Sequence, residues 1–140
     1  VTTTAMFHEI DPRVDLQNRI GNIDHIKLLH NQVLVATYIR PEKTKGGLYI
    51  PQASRDEDKH QGKVGLVIAK GPLAFVSDNQ TDFHGQNVDL GDWISYRMSD
   101  GWQFTIKGNP TSDNPKGEWH CRMLQDVDIK AVISHPDDLM

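Results

Sequence analysis

Apolar side chains fall along this chain in short runs, separated by polar stretches rich in Gly, Pro, Asn and Asp. Gln32-Val-Leu-Val-Ala-Thr-Tyr-Ile39 is β-branched and aromatic at strand length, and Arg40-Pro41 ends it because proline cannot donate to a ladder. Gly62-Lys-Val-Gly-Leu-Val-Ile-Ala-Lys-Gly71 reads as a second strand between glycines. Trp93 to Arg97 and the alternating Trp102 to Ile106 read as two more, and Asp100-Gly101 between them is a hairpin signal, so these two are expected to pair. Glu118 to Leu124 and Ile129 to Ser134 are the last strands. Between them, Pro72 to Asp89 suggests a hairpin with a weak centre, and Lys107 to Gly117, with two Pro and two Gly, an exposed inserted loop. His135 to Met140 reads as a short acidic tail. Several short strands without helical blocks between them predict an all-β fold, a small closed or nearly closed barrel.

The chain ahead of the strands differs. Residues 1–25 read as an N-terminal arm carrying one short helix: Asp11 is placed to cap it, Pro12 to occupy its first turn, and Gly21 to terminate it. Asp15 near the start and Arg19 near the end suit the helix dipole, and Leu16, Ile20 and Ile23 form a narrow apolar stripe. A helix of about nine residues is marginal alone in water, so it is expected to dock on the barrel or on a neighbour.

One stretch fits neither pattern. Glu42-Lys-Thr-Lys-Gly-Gly-Leu-Tyr-Ile-Pro51 sets Leu48, Tyr49 and Ile50 directly after Gly46 and Gly47, with the polar run Gln52 to Gln61 downstream. The glycines weaken any strand or helix that includes them. Three apolar side chains in a polar loop either fold back onto their own domain or bind something else, and the second is the expectation here.

Composition narrows the function. At 140 residues, 37% hydrophobic and 24% charged, the chain has the length for one core of ordinary size. The formal net charge of −4 and the lack of any basic cluster argue against nucleic acid or an anionic membrane as the main target. Trp93, Tyr96, Trp102 and Phe104 could serve as stacking platforms in an oligonucleotide-binding barrel, but without interleaved basic residues they are better read as core. Cys121 is the sole cysteine, which excludes an intramolecular disulfide and suits a reducing compartment, the cytoplasm or a particle assembled there. No run is long enough to span a membrane.

Catalytic and metal chemistry leave no motif. The seven histidines show no zinc spacing with one another or with Cys121, so no metal site is expected. Asp56-Glu57-Asp58 is best read as a solvated charge run. Phosphate-binding, dinucleotide and nucleophile-elbow signatures are missing, so neither an enzyme nor a cofactor is expected.

Five segments, in order, resemble the ten-kilodalton co-chaperonins of the GroES type. Ile26-Lys-Leu-Leu-His-Asn-Gln-Val-Leu-Val35 is similar to the family's Ile-Arg-Pro-Leu-His-Asp-Arg-Val, and Glu42 to Pro51 to Glu-Lys-Thr-x-Gly-Gly-Ile-x-[Leu/Ile]-Pro. Gly62-Lys-Val-Gly-Leu-Val-Ile-Ala resembles Gly-x-Val-x-Ala-Val-Gly, Leu90-Gly-Asp-Trp-Ile-Ser-Tyr96 resembles Val-Gly-Asp-x-Val-Leu-Phe, and Asp128-Ile-Lys-Ala-Val-Ile133 resembles the closing Asp-Ile-Leu-Ala. The resemblance implies a GroES-like β-barrel over residues 26–134, with a docking loop at 42–61 and an inserted loop at 107–117. It further implies a homo-oligomeric ring that caps an ATP-driven chaperonin of the sixty-kilodalton class, with Leu48, Tyr49 and Ile50 docking and Gly46-Gly47 as the hinge. The arm, the insertion and the 135–140 tail depart from the family pattern. Because bacteriophages also encode GroES-like chains, a capsid decoration or cement protein, gripping capsid subunits of a virion through its arm and loops, is the alternative expectation.

Overall fold

The computed structural model describes residues 8, 10–41, 48–61, 63–112 and 114–139. The polar–apolar pattern resolves into α1 (Pro12–Ile20), β1 (Gln32–Thr37), α2 (Gln52–Gln61), β2 (Val64–Lys70), β3 (Trp93–Ser95), β4 (Trp102–Lys107), β5 (Glu118–Gln125) and β6 (Ala131–Ile133). The strands make one antiparallel sheet in the order β4-β5-β1-β2-β3-β6. This is the small all-β architecture expected from the sequence.

β1 lies at the centre, and both of its faces are covered. Leu34 and Ala36 join Leu66, Trp93 and Cys121 in one cluster, whereas Val33 and Val35 join Val67, Ile94, Tyr96 and Leu124 in another. A strand buried on both sides reads as a continuous apolar run, which is why Val33 to Ala36 shows no alternation. Burial pushes the Cys121 thiol up to about 12, so it stays protonated and unreactive at neutral pH.

β3 and β4 do not pair, contrary to the Asp100-Gly101 hairpin expectation. β3 pairs with β2 and β6, and β4 with β5. Asp100 instead closes a local turn in which its carboxylate takes Arg97 Nε and Nη2 at 3.1 and 2.9 Å and its N–H donates to the Arg97 carbonyl. Gly101 leaves that turn at φ 68°, and a Cβ there would collide with the Met123 carbonyl oxygen. In a flat sheet β3 and β4 would lie about 19 Å apart, four strand spacings. Arg122 on β5 nevertheless donates to the carbonyls of Met98 and Asp100, both 2.7 Å away. The 96–101 turn therefore crosses from β3 to β4 and is held against β5.

α1 has the predicted bounds. The Asp11 side chain accepts from Arg13 N, Pro12 opens the helix, and Gly21 follows it at φ 69°. Leu16 and Ile20 are buried in the Trp93 cluster, and Ile23 packs against it. The helix thus completes the core over one face of the sheet.

The 107–117 segment does more than project into solvent. It joins β4 to β5 as a hairpin, with Lys107 opposite Glu118, and folds back over the C-terminus of α1. Asn109 N donates to the Arg19 carbonyl at 2.7 Å and Asn109 Nδ2 to the Asn18 carbonyl at 2.8 Å, satisfying groups the helix end leaves open. Arg19 pairs with Asp15 at 3.2 Å and lies 5.5 Å from the centroid of the Trp119 ring. Asn109→Ala should cost about 0.5–1.5 kcal/mol in urea unfolding and speed amide exchange in the last turn of α1. An unchanged unfolding midpoint and exchange rate would show that this clamp contributes nothing.

Two other expectations change. The 72–89 segment forms turns and no hairpin, because carboxylates capture the N–H groups a ladder would use: Asp78 takes Gln80 and Thr81, and Asp82 takes His84, all at 2.8 Å. The C-terminal tail is a single 3-10 turn, Pro136–Leu139, with Pro136 buried and Asp137 bonded to the Tyr38 hydroxyl. Of the aromatic residues considered as stacking platforms, Trp93 and Tyr96 are core, whereas Trp102 is 61% exposed on the β4 edge beside Phe104.

Candidate functional site

The apolar triplet sits where the chain leaves β1 and returns through α2. Glu42 to Gly47, including the Gly46-Gly47 pair, lie outside the described residues. Leu48 and Tyr49, which follow, are 64% and 71% exposed, while Ile50 is half-buried. Two large apolar side chains in succession facing solvent make an exposed apolar patch. The structure thus brings Leu48 and Tyr49 together outward and turns Ile50 partly inward.

The anchors on either side were not legible as such. Gln52 to Gln61 is helix α2, where the sequence suggests a polar loop. Its residues are mostly good helix formers, but no apolar stripe marks them. Polar bonds hold it instead. Asp58 Oδ2 accepts from both N and Nε of Arg40, each at 2.9 Å, and Arg55 Nε donates to the Arg40 carbonyl at 3.0 Å. Gln52 Nε2 reaches Asp56 Oδ1 at 3.0 Å, and Ser54 N donates to the Pro51 carbonyl. Asp58 of the acidic run is thus a structural partner of Arg40. Arg40, just beyond β1, and the body of α2 are thus clamped together, with Leu48 to Ile50 on the α2 side of that clamp.

Beside the clamp lies a cleft of about 810 Å³ between α1, the start of α2 and the β4–β5 connection. Arg19, Tyr38, Arg55, Thr105 and Trp119 are among the residues that line it. Burial and the neighbouring Asp137 carboxylate raise the Tyr38 phenol well above its ordinary range, so it remains a hydrogen-bond donor. It donates to Asp137 Oδ1 at 3.2 Å and also lies 3.2 Å from His8 Nε2. His8 and His135, distant in sequence, flank Asp137 there, an arrangement no spacing rule could show.

No helix among the described residues is long and apolar enough to cross a membrane. Residues 25–112 match the family model described as the chaperonin 10 Kd subunit. Among curated proteins, the co-chaperonin GroES of Chloroherpeton thalassium is 34% identical over 84 residues, covering 60% of this chain and 82% of that protein. The co-chaperonin GroES of Nitratidesulfovibrio vulgaris is 30% identical over 109 residues, 78% of this chain and 98% of the relative. That of Gemmatimonas aurantiaca is 28% identical over 106 residues, 76% and 92%. The family match ends before β5 and β6 and begins after α1. With the strands, the Gly-Gly-apolar segment and the alignment in agreement, the chain belongs to the chaperonin 10 Kd subunit family as a divergent, GroES-like member.

Proposed function

We propose that this chain is the subunit of a homo-oligomeric ring that caps an ATP-dependent chaperonin of the sixty-kilodalton class and so assists protein folding. Leu48, Tyr49 and Ile50 are the docking side chains and Gly46-Gly47 the hinge. The observation that carries the reading is the outward pair Leu48 and Tyr49, within a segment tied down at Arg40 and Asp58. Membership of a co-chaperonin family supports it. ATP hydrolysis belongs to the partner, and the ring works wherever that partner resides, the cytoplasm being the expected place.

Energetics favour a ring over a single contact. Burying a side chain such as Leu or Ile is worth at best about 1.5–3 kcal/mol, and ordering each loop residue costs roughly 1–2 kcal/mol of backbone entropy. The contacts of Arg40 with Asp58 and Arg55 order the flanks in advance. One loop still binds weakly, whereas a ring of identical loops gains avidity and can be released when the individual contacts weaken. In gel filtration with a sixty-kilodalton-class chaperonin, the chain should co-elute when nucleotide is present and dissociate when it is removed. A chain that remains separate from the chaperonin under every nucleotide condition would refute the capping role.

A further inference from the structure

We propose that His8, His135 and Asp137 form a binding site for a divalent transition-metal ion of borderline softness, with Zn²⁺ as the type. One ligand atom from each lies within 4.8 Å of the others. Asp137 is the centre of the set: His8 Nε2 is 3.7 Å from its Oδ1, and His135 Nδ1 is 3.6 Å from its Oδ2. A tetrahedral ion with bonds of about 2.0–2.1 Å holds its ligand atoms roughly 3.3 Å apart. Small side-chain movements close the site.

The chemistry and the supports both fit. Two imidazoles and one carboxylate are a donor set that suits zinc and its neighbours better than calcium or magnesium. All three side chains are partly buried, which limits competing water yet leaves a path for the ion. Asp137 N–H donates to His135 Nδ1 at 3.1 Å, a bond that the ion would replace at that nitrogen. The Tyr38 hydroxyl donates to Asp137 Oδ1 and orients it from behind, as second-layer partners of metal ligands do. Ser134 Oγ and His135 N both donate to Asp138 Oδ2, fixing the turn that carries two of the ligands.

Bound there, the ion would tie residue 8 to the C-terminal turn across Tyr38, joining two parts of the chain far apart in sequence. The site is independent of the docking segment, so it stands or falls apart from the capping role. The test uses the full chain after chelator treatment. Calorimetric titration with Zn²⁺ should show one ion per chain, and Co²⁺ should give the visible absorption of a nitrogen- and oxygen-ligated site. H8Q and H135Q should each weaken Zn²⁺ binding by about tenfold or more, while H84Q, at an exposed histidine, should leave it unchanged. Circular dichroism of the metal-free variants confirms that they fold. A chain that takes up no Zn²⁺ overturns the proposal, and so does a folded H8Q/H135Q double variant that binds Zn²⁺ like the parent.

Discussion

Replacing Arg122 with alanine should destabilise the fold by about 3–5 kcal/mol and lower the thermal midpoint by roughly ten degrees or more. Arg122, on β5, is only 2% exposed. Its Nη1 donates to the carbonyls of Met98 and Asp100, and its guanidinium lies 5.0 Å from the centroid of the Tyr96 ring. Hydrogen bonds to a charged group are worth about 1.5–3 kcal/mol, and carbonyls left buried without a donor add to the loss. Alanine also leaves a cavity where a long side chain packed, the second contribution. Arg122→Met separates the two, since it keeps most of the volume and removes the donors. Alanine and methionine variants that unfold at the same denaturant concentration would assign the effect to hydrogen bonding alone. An alanine variant within about half a kcal/mol of the parent would defeat the argument, because surface substitutions behave that way.

The same residue shows what the sequence hides. Strand existence was legible because β1 and β2 are apolar runs bounded by proline or glycine, and α1 because Asp11, Pro12 and Gly21 each have a local steric or hydrogen-bonding reason for their places. Pairing was not. An Asp-Gly step between two strands usually closes a hairpin, but here Arg97 and Asp100 bind each other locally while a residue of β5, some twenty positions on, holds the turn. A contact of that range leaves no periodic trace. α2 escaped notice for the opposite reason: it makes few apolar contacts and is held by Arg40, whose partner Asp58 reads in the sequence as one more solvated acid. The 107–117 segment and the arm turn out to be built against each other through Asn109 and the end of α1. Each completes the other, which the sequence of either alone does not disclose.

The proposed docking triplet carries the largest expected functional effect. Leu48→Asp should abolish co-elution with a chaperonin while leaving the circular dichroism spectrum, the unfolding midpoint and the ring size unchanged. The side chain is 64% exposed, so an aspartate is well solvated in the free subunit and costs the fold little. On docking, that carboxylate would have to leave water for an apolar groove, a penalty of several kcal/mol unless it is paired. Every subunit of a ring carries the change, so the penalty is multiplied by the number of loops that avidity had summed. Milder changes grade the response: Leu48→Ala removes about 1.5–3 kcal/mol of burial per loop, whereas Tyr49→Phe keeps the ring and tests only its hydroxyl. Ile50 should behave differently. Because it is already half-buried, Ile50→Asp is expected to lower the unfolding midpoint as well as docking, so the two positions separate a side chain offered to a partner from one shared with its own domain. A Leu48→Asp ring that still co-elutes with the chaperonin would remove Leu48 from the docking surface. A Leu48→Asp chain that loses its fold would show instead that the side chain is a structural contact of its own domain.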